Sequence, residues 1–501
     1  MRRGGLSALI VILLAASGPA CRETVPPPAR LTVAFEAPVV TLDPHAHSHT
    51  ITGAVLAHFY DTLVVLDRDL RLHPRLARSW VTPSETLWRF YLREDVVFHD
   101  GRRLTATDVV AALRRAVRDD RSAAQYLRSV SEVRAIGETV LEVETRSPSL
   151  GLLNRLAFVS ITPRDAPDSI RVPVGTGPYR FVAVTDGAIE ARRFNRFWGA
   201  PPPFETVSFA AIPDDDRRAE AIPRGDADIV CQYPRSRWQW GRRQADMRVL
   251  SVDGLQAVLL AFSMADGSPF ADPRLRQAVA LAVDRKRLVA EALGGLGTPL
   301  DQPVPPLVLG YSPTLPPMLH NPGRARRLVS EAGFSAGAGV PIYSAETYGS
   351  IVRQLELQLE SVGIDVEPRI LPQADLYRKL ESERVPAAVF SWSAGTGDAS
   401  ATLDPLFHTP GAGLGGFNRW SYSSPVFDGL IDRADHASRP EDRVRLCGSA
   451  MEVLREDLPA VPLTTLADLY AVRAGLEWQP PSHRYLRVSE VHRSGDTDPR
   501  H

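Results

Sequence analysis

LWRFYLREDVVFHDGRRLTATDVVAALRR, from Leu87 to Arg115, changes its periodicity twice. Trp88, Phe90 and Leu92 alternate with Arg89, Tyr91 and Arg93, the pattern of a strand with one buried face. Asp100-Gly101 follows as a pair that tolerates positive φ in a tight turn. Thr105-Ala106-Thr107-Asp108 then has the spacing of a capping box, with the Thr105 hydroxyl placed to accept the Asp108 backbone N–H. The helix that starts there sets Val109, Val110, Leu113 and Val117 on one face and leaves Arg114, Arg115 and Arg118 to solvent.

On the N-terminal side, Leu31 to Phe35 alternates as a strand, and Thr41-Leu42-Asp43-Pro44 follows. A helical stretch then runs toward Leu63, before a short strand with a turn at Asp67 to Asp69. On the C-terminal side, Val130 to Val143 holds two strands. In Val174 to Phe181, Gly175 and Gly177 permit a turn that no bulkier residue follows, and Pro178 fixes the chain before the next strand. The apolar run Ala257 to Phe262 is a strand, and Ser268 to Ala278 starts a helix that continues past Asp284-Arg285. After a Pro-rich loop from Asp301 to Pro317, helices are expected from Arg324 to Ala332 and near Gly349 to Val362, stopped by Gly333 and Gly363.

These blocks resemble one family in kind and order. Pro74-x-Leu76-Ala77-x-Ser79-Trp80, Trp88-x-Phe90-x-Leu92-Arg93, Phe98-His99-Asp100-Gly101 and Thr105-Ala106-x-Asp108-Val109-Val110 come first. Gly175-Thr176-Gly177-Pro178-Tyr179, Asn195 to Gly199, Ile212-Pro213-Asp214, Gly225 to Ile229 and Ser268 to Ala278 follow. The chain is similar to the extracellular solute-binding proteins of family 5, the peptide- and nickel-type receptors of ABC importers, over almost all of Leu31 to Gly475. The resemblance implies an α/β, two-lobed, type II periplasmic-binding-protein-like fold with an extra subdomain in the N-terminal lobe. Lobe I is expected from 31–60 with 169–256 and 465–490, the extra subdomain from 61–168, and lobe II from 257–464. A disordered tail is expected over 491–501.

The 501 residues suffice for roughly three ordinary domains, or for fewer large ones. A net charge of −1, with Arg spread through the chain, gives no reason to expect nucleic acid as a partner. Arg2-Arg3, the apolar run Leu6 to Ala16 and the small residues to Ala20 form a secretory signal, 1–20, too short for a permanent transmembrane helix. Ser17-Gly18-Pro19-Ala20-Cys21 resembles a lipobox, although Gly18 departs from its usual Leu. Cys21 is thus the expected lipidation site, and 21–30 a Pro-rich tether holding the protein to the membrane at the periplasmic or extracellular face. The alternative is an ordinary signal peptide with a chance Cys. Cys231 and Cys447 either pair in an oxidising envelope or remain two buried thiols.

Two motifs imitate enzyme chemistry. Gly333-Phe334-Ser335-Ala336-Gly337 matches a nucleophile elbow, but a helix precedes it and a loop follows, the reverse of what an exposed nucleophile needs. Gly411 to Gly416 satisfies G-x-G-x-x-G without the strand-to-helix setting that cradles a dinucleotide. Neither supports an enzyme, and no cofactor is expected.

His45-Ala46-His47-Ser48-His49 would project three imidazoles to one side if extended, a weak metal alternative. By resemblance this segment borders the ligand cleft, which makes His47, His49 and Thr52 ligand contacts. Phe390 to Asp398 is an apolar strand ending in Trp392 and small residues, suited to an exposed loop whose indole walls a cleft. Trp392, Thr396, Asp398 and, elsewhere, Tyr233 complete the expected ligand set. In peptide-binding relatives an Asp shortly after this Trp pairs with the peptide ammonium. Here the third residue after it is Gly395, so either Asp398 takes that role or the ligand is not an ordinary peptide.

The resemblance implies a monomeric substrate-binding component that captures a peptide-like or other small solute and delivers it to an ABC permease and ATPase complex. The alternatives are a nickel or metal-chelate receptor of the same fold, a lipid-anchored solute sensor, and a secreted hydrolase using Ser335.

Overall fold

The computed structural model describes residues 30–118, 121–334, 339–411 and 414–495. Cys21, the signal segment, the tether up to residue 29, Ser335 and the last six residues lie outside the described residues. Among those described, a ten-stranded mixed sheet runs through the whole protein. Its spatial order is Val366–Leu371, Val340–Ala345, Ala387–Ser393, Met247–Phe262, Ala460–Arg473, Ile229–Val230, Arg30–Phe35, Thr206–Ala211, Ala188–Arg193 and Tyr179–Thr185.

The two long strands, Met247–Phe262 and Ala460–Arg473, pair antiparallel at the centre and extend through both halves. Val258, Leu260 and Phe262 enter one core with Leu275, Val279 and Ile351. Ala257, Leu259 and Ala261 enter another on the opposite face, with Leu403, Phe407 and Met451. Helices cover both faces, which is why this strand reads as an unbroken apolar run instead of an alternation. The other half follows the same logic: Leu31, Val33 and Phe35 pack with Phe59 and Tyr179, while Ala34 faces Ile222 and Tyr233.

The stretch from Leu87 builds a separate four-stranded antiparallel sheet, ordered Ala77–Ser84, Leu87–Leu92, Val140–Thr145 and Val130–Ala135. Trp88, Phe90 and Leu92 are buried against Val109 and Leu113 of the helix Ala106–Ala116, as the alternation requires. Asp108 closes the capping box by accepting from the Thr105 backbone N–H at 3.0 Å, and from the Thr105 hydroxyl at 2.7 Å. Gly101 takes φ +91°, the turn expected of Asp100-Gly101.

Three sequence expectations need correction here. Arg115 is not solvated: it is nearly buried and its guanidinium holds the Asp43 carboxylate, donating to Oδ1 at 2.9 Å. The helix from Pro273 ends at Ala282, because Val283 turns extended, and a second helix, Arg285–Leu293, starts with its own Asp284 cap. Residues 491–493, expected in a disordered tail, are ordered, since His492–Arg493 pairs with Leu476–Glu477 and Val491 is fully buried. Cys231 and Cys447 are two buried free thiols, each in a different core.

Gly175 and Gly177 are required by close approach, not by a left-handed turn. A Cβ at Gly175 would lie 2.1 Å from the Phe59 carbonyl oxygen, and one at Gly177 would lie 2.5 Å from that of His58. His99 clips this loop to the opening stretch: its ring Nε2 donates to Gly177 O at 3.0 Å, and its Nδ1 accepts from Gly175 N–H at 3.3 Å.

Candidate functional site

A cavity of about 290 Å³ opens where segments distant in sequence meet. The loop after the first strand supplies Pro44 and His47 to Thr50, and the short helix Ser122–Leu127 supplies Gln125 and Tyr126. Leu255 and Gln256 come from the central strand, Trp392, Ser393, Gly395 and Thr396 from the end of Ala387–Ser393 and the loop after it, and Ser482 to Tyr485 from the C-terminal loop. The end of a sheet strand followed by a loop is where α/β proteins place ligands, since side chains there are anchored on one side and free on the other.

Trp392 is held by its indole N–H, which donates to the Ala401 carbonyl at 2.7 Å, and by Phe417, edge-on at 4.7 Å. A second aromatic group forms a ladder in which Tyr126 stacks on Phe158 at 5.6 Å and Phe158 meets Tyr485 edge-on at 5.5 Å. His483 continues it, 5.9 Å from Tyr485. Burial lowers the pKa of His47, and it pushes His483 down to about 3, so both imidazoles are neutral donors or acceptors at neutral pH. His49 is exposed at the start of the helix Thr50–Leu56.

Arg484 is the one cation among the described lining residues. Its backbone sits at φ +65°, a conformation that costs a non-glycine residue about 1–3 kcal/mol and needs outside support. Asp468 provides it by accepting from Arg484 Nε at 2.7 Å, and Gln256 Oε1 accepts from Nη2 at 3.1 Å.

His47, His49, Trp392 and Thr396 are therefore brought together, and the other expected contacts are not. Thr52 is buried in its helix, where its hydroxyl accepts from Val40 N–H at 3.2 Å. Tyr233 is packed in the core beside Met247, away from the cavity. Asp398 is 3 % exposed and both its oxygens are engaged, by Arg443 at 2.6 and 3.0 Å and by Ser400 at 2.7 and 2.9 Å. Burial alone would raise its pKa, but the Arg443 charge and these hydrogen bonds hold it below the usual carboxylate range.

The histidine trio also separates. His45 is fully buried, with Nε2 donating to Ser160 O at 2.8 Å and Nδ1 accepting from Arg115 at 2.9 Å, so neither nitrogen is left for a metal. Among the described residues no three His, Cys, Asp or Glu side chains gather as metal ligands. Sequence reasoning missed Arg484 and Tyr485, whose only local signal is the mixed polar and aromatic run Ser482 to Tyr485, and Gln256, Tyr126 and Phe158, which have none.

The family described as "Bacterial extracellular solute-binding proteins, family 5 Middle" matches residues 71–413. The chain belongs to this family. As a family 5 solute-binding protein it is the substrate-binding component of an ABC importer. It is 26 % identical over 487 residues to the glutathione-binding protein GsiB of Escherichia coli K12, covering 92 % of this chain and 93 % of that one. Among solved structures, NikA from Brucella suis in complex with Fe(III)-EDTA superimposes with a TM-score of 0.82 at 20 % identity, over 93 % of this chain and 99 % of that one. The ABC transporter-associated periplasmic binding protein DppA from Helicobacter pylori, in complex with peptide STSA, gives 0.75 at 21 % identity, over 93 % and 98 %.

The fold is thus the two-lobed type II periplasmic-binding-protein-like one, with the extra subdomain built around Leu87 to Arg115. These relatives are solute-binding proteins. In this family 5 protein the G-x-G-x-x-G imitation is a loop at its described positions, where Gly411 bridges to Leu414 and Gly415 N–H donates to Asp404 Oδ1 at 3.1 Å. No helix among the described residues is long and apolar enough to cross a membrane.

Proposed function

We propose that this protein captures a peptide-like solute between its lobes and hands it unchanged to a membrane permease and its ATPase. Lobe I comprises 31–60, 169–256 and 465–490, the extra subdomain 61–168, and lobe II 257–464. On that division the cavity touches all three, through His47 and Tyr485, Tyr126 and Phe158, and Trp392 and Thr396 respectively. This shared lining is the observation that carries the reading, because a ligand bound there contacts both lobes and stabilises the closed arrangement by its differential affinity for it.

Residues 1–20 serve as the export signal, Cys21 carries the lipid anchor, and the Pro-rich segment to Arg30 tethers the monomeric body to the membrane. Native mass spectrometry of gently purified protein, looking for a co-purified small molecule, tests the capture. Small-angle scattering tests closure: the released, solute-free protein expands and readdition of the solute compacts it. Protein that holds no solute and shows no compaction with any extract of its medium overturns the proposal.

A further inference from the structure

We infer that the solute is an anion seated on Arg484 and enclosed by aromatic faces, and that a free ammonium group is not what the cleft recognises. The inference rests on the cleft being the solute site and goes on to its charge preference. Among the described residues lining the cavity there is no Asp or Glu. Two carboxylates near the lining in sequence are held by arginines, Asp43 by Arg115 and Arg121, and Asp398 by Arg443. Asp253 accepts from the Thr298 hydroxyl at 3.0 Å, and the exposed Glu36, which acts on Arg484 electrostatically, lies outside the lining. Asp468 is spent on Arg484 through Oδ1, while its Oδ2 is sealed from solvent. An ammonium entering this cleft would lose its water and meet no carboxylate in the lining, which is the costly half of burying a charge.

The donors point to the opposite sign. Arg484 spends Nε and Nη2 on Asp468 and Gln256, leaving the two N–H groups of Nη1 without a partner among the described residues. Gln256 accepts from Arg484 through Oε1, which orients its amide so that the NH2 remains free to donate. Donors on two hydrogen-bonded side chains, one of them cationic, suit the oxygens of a carboxylate or a phosphate-type group. Trp392, Tyr126, Phe158 and Tyr485 add apolar and π surface for the body of the ligand.

The shortage of acid is not a shortage of room. A Cβ at Gly395 would meet only Ser393 Oγ, at an ordinary 3.7 Å, so the backbone there accepts a side chain. The cleft is therefore convertible by one substitution.

The test is calorimetric titration of solute-free protein with N-acetyl-Ala-Phe, which has a carboxylate and no ammonium, and with Ala-Phe-amide, which has the reverse. The native protein binds the acetylated acid at least about ten-fold more tightly, the effect of one charge-assisted pair. Arg484→Gln, checked for folding by circular dichroism, loses at least about ten-fold toward the acid. Gly395→Asp, which leaves Arg484 untouched, raises affinity for the amide and lowers it for the acid. Equal or tighter binding of the amide by the native protein overturns the assignment, as does a Gly395→Asp protein with unchanged preference. Failure to bind the acid in protein that still compacts with its co-purified solute overturns the charge preference and leaves solute capture standing. Protein that neither holds a solute nor binds either probe overturns both.

Discussion

Arg443 grips Asp398 through two hydrogen bonds, Nη2 to Oδ1 at 2.6 Å and Nε to Oδ2 at 3.0 Å, and both side chains are almost wholly buried. The same guanidinium reaches the Ala434 carbonyl and Asp435, so the pair ties the loop after Ala387–Ser393 to the helices Pro425–Asp435 and Pro440–Asp457. Asp398 is a structural residue that anchors the loop carrying Thr396 and Gly395.

Asp398→Ala leaves a buried guanidinium without its main counter-ion and costs about 3–5 kcal/mol in urea unfolding. Its depressed carboxyl pKa sets the pH dependence. The stabilisation is complete above the unfolded value of about 3.9 and is lost as pH falls through the lower folded value. A variant as stable as the parent contradicts the structural role.

Three buried histidines act at higher pH. Burial pushes His45 and His58 down to about 4 and His483 to about 3. His58 is fixed as a neutral tautomer, donating from Nδ1 to Val55 O at 3.1 Å and accepting at Nε2 from Val488 N–H at 3.1 Å. Above about pH 6.5 these rings are neutral in both states and add no slope. Below it the unfolded chain takes up protons that the folded chain refuses, so stability falls by about 1.4 kcal/mol per pH unit and histidine until the folded rings titrate. Urea midpoints at pH 7 and pH 5 measure this, and equal midpoints rule it out. His58→Gln lowers the slope while costing stability at neutral pH.

Trp392→Ala removes an indole that the Ala401 carbonyl and Phe417 hold in place at the cleft. The ring is half-buried and belongs to the rim of its core, so the fold persists while solute affinity drops about 10- to 100-fold, the cost of losing an aromatic anchor. Calorimetry with the co-purified solute reads this directly. An unchanged dissociation constant would mean that the solute lies elsewhere in the molecule.

The fold was largely legible because its signals are local. The alternation at Trp88 to Leu92, the capping box at Thr105 and the glycine stops at Gly333 and Gly363 depend on residues within a few positions of each other. The site was legible only in part, since its lining converges from both ends of the chain. His47 and Trp392 stood out in motif contexts, but Arg484 and Tyr485 come from a C-terminal loop whose placement depends on Asp468 and Gln256. Asp398 misled for the complementary reason: the partner that neutralises it, Arg443, lies one helix pair away and has no sequence pattern linking the two. The glycines of Gly175-Thr176-Gly177 were correctly singled out with the wrong cause, because contact with the Phe59 and His58 carbonyls is tertiary.

Gly254 offers a test of how the central strands position the cleft. The pairing of Met247–Phe262 with Ala460–Arg473 shifts register between Asp253 and Ala257, and Gly254 lies inside that irregularity. A Cβ there would stand 2.4 Å from the Leu466 carbonyl oxygen, a backbone atom that cannot swing aside. Gly254→Ala must push the two strands apart, and Leu255 and Gln256, the next two residues, line the cavity. The expected outcome is a loss of about 1–3 kcal/mol in stability, together with weaker solute binding. Thermal unfolding reads the first and calorimetry the second. A control change at Gly267, where a Cβ meets nothing within 4 Å but φ is +85°, separates backbone strain from strand displacement. Gly267→Ala loses stability through its left-handed conformation and keeps its affinity. Gly254→Ala with full affinity and lowered stability would show that the cleft tolerates movement of the strands beneath it.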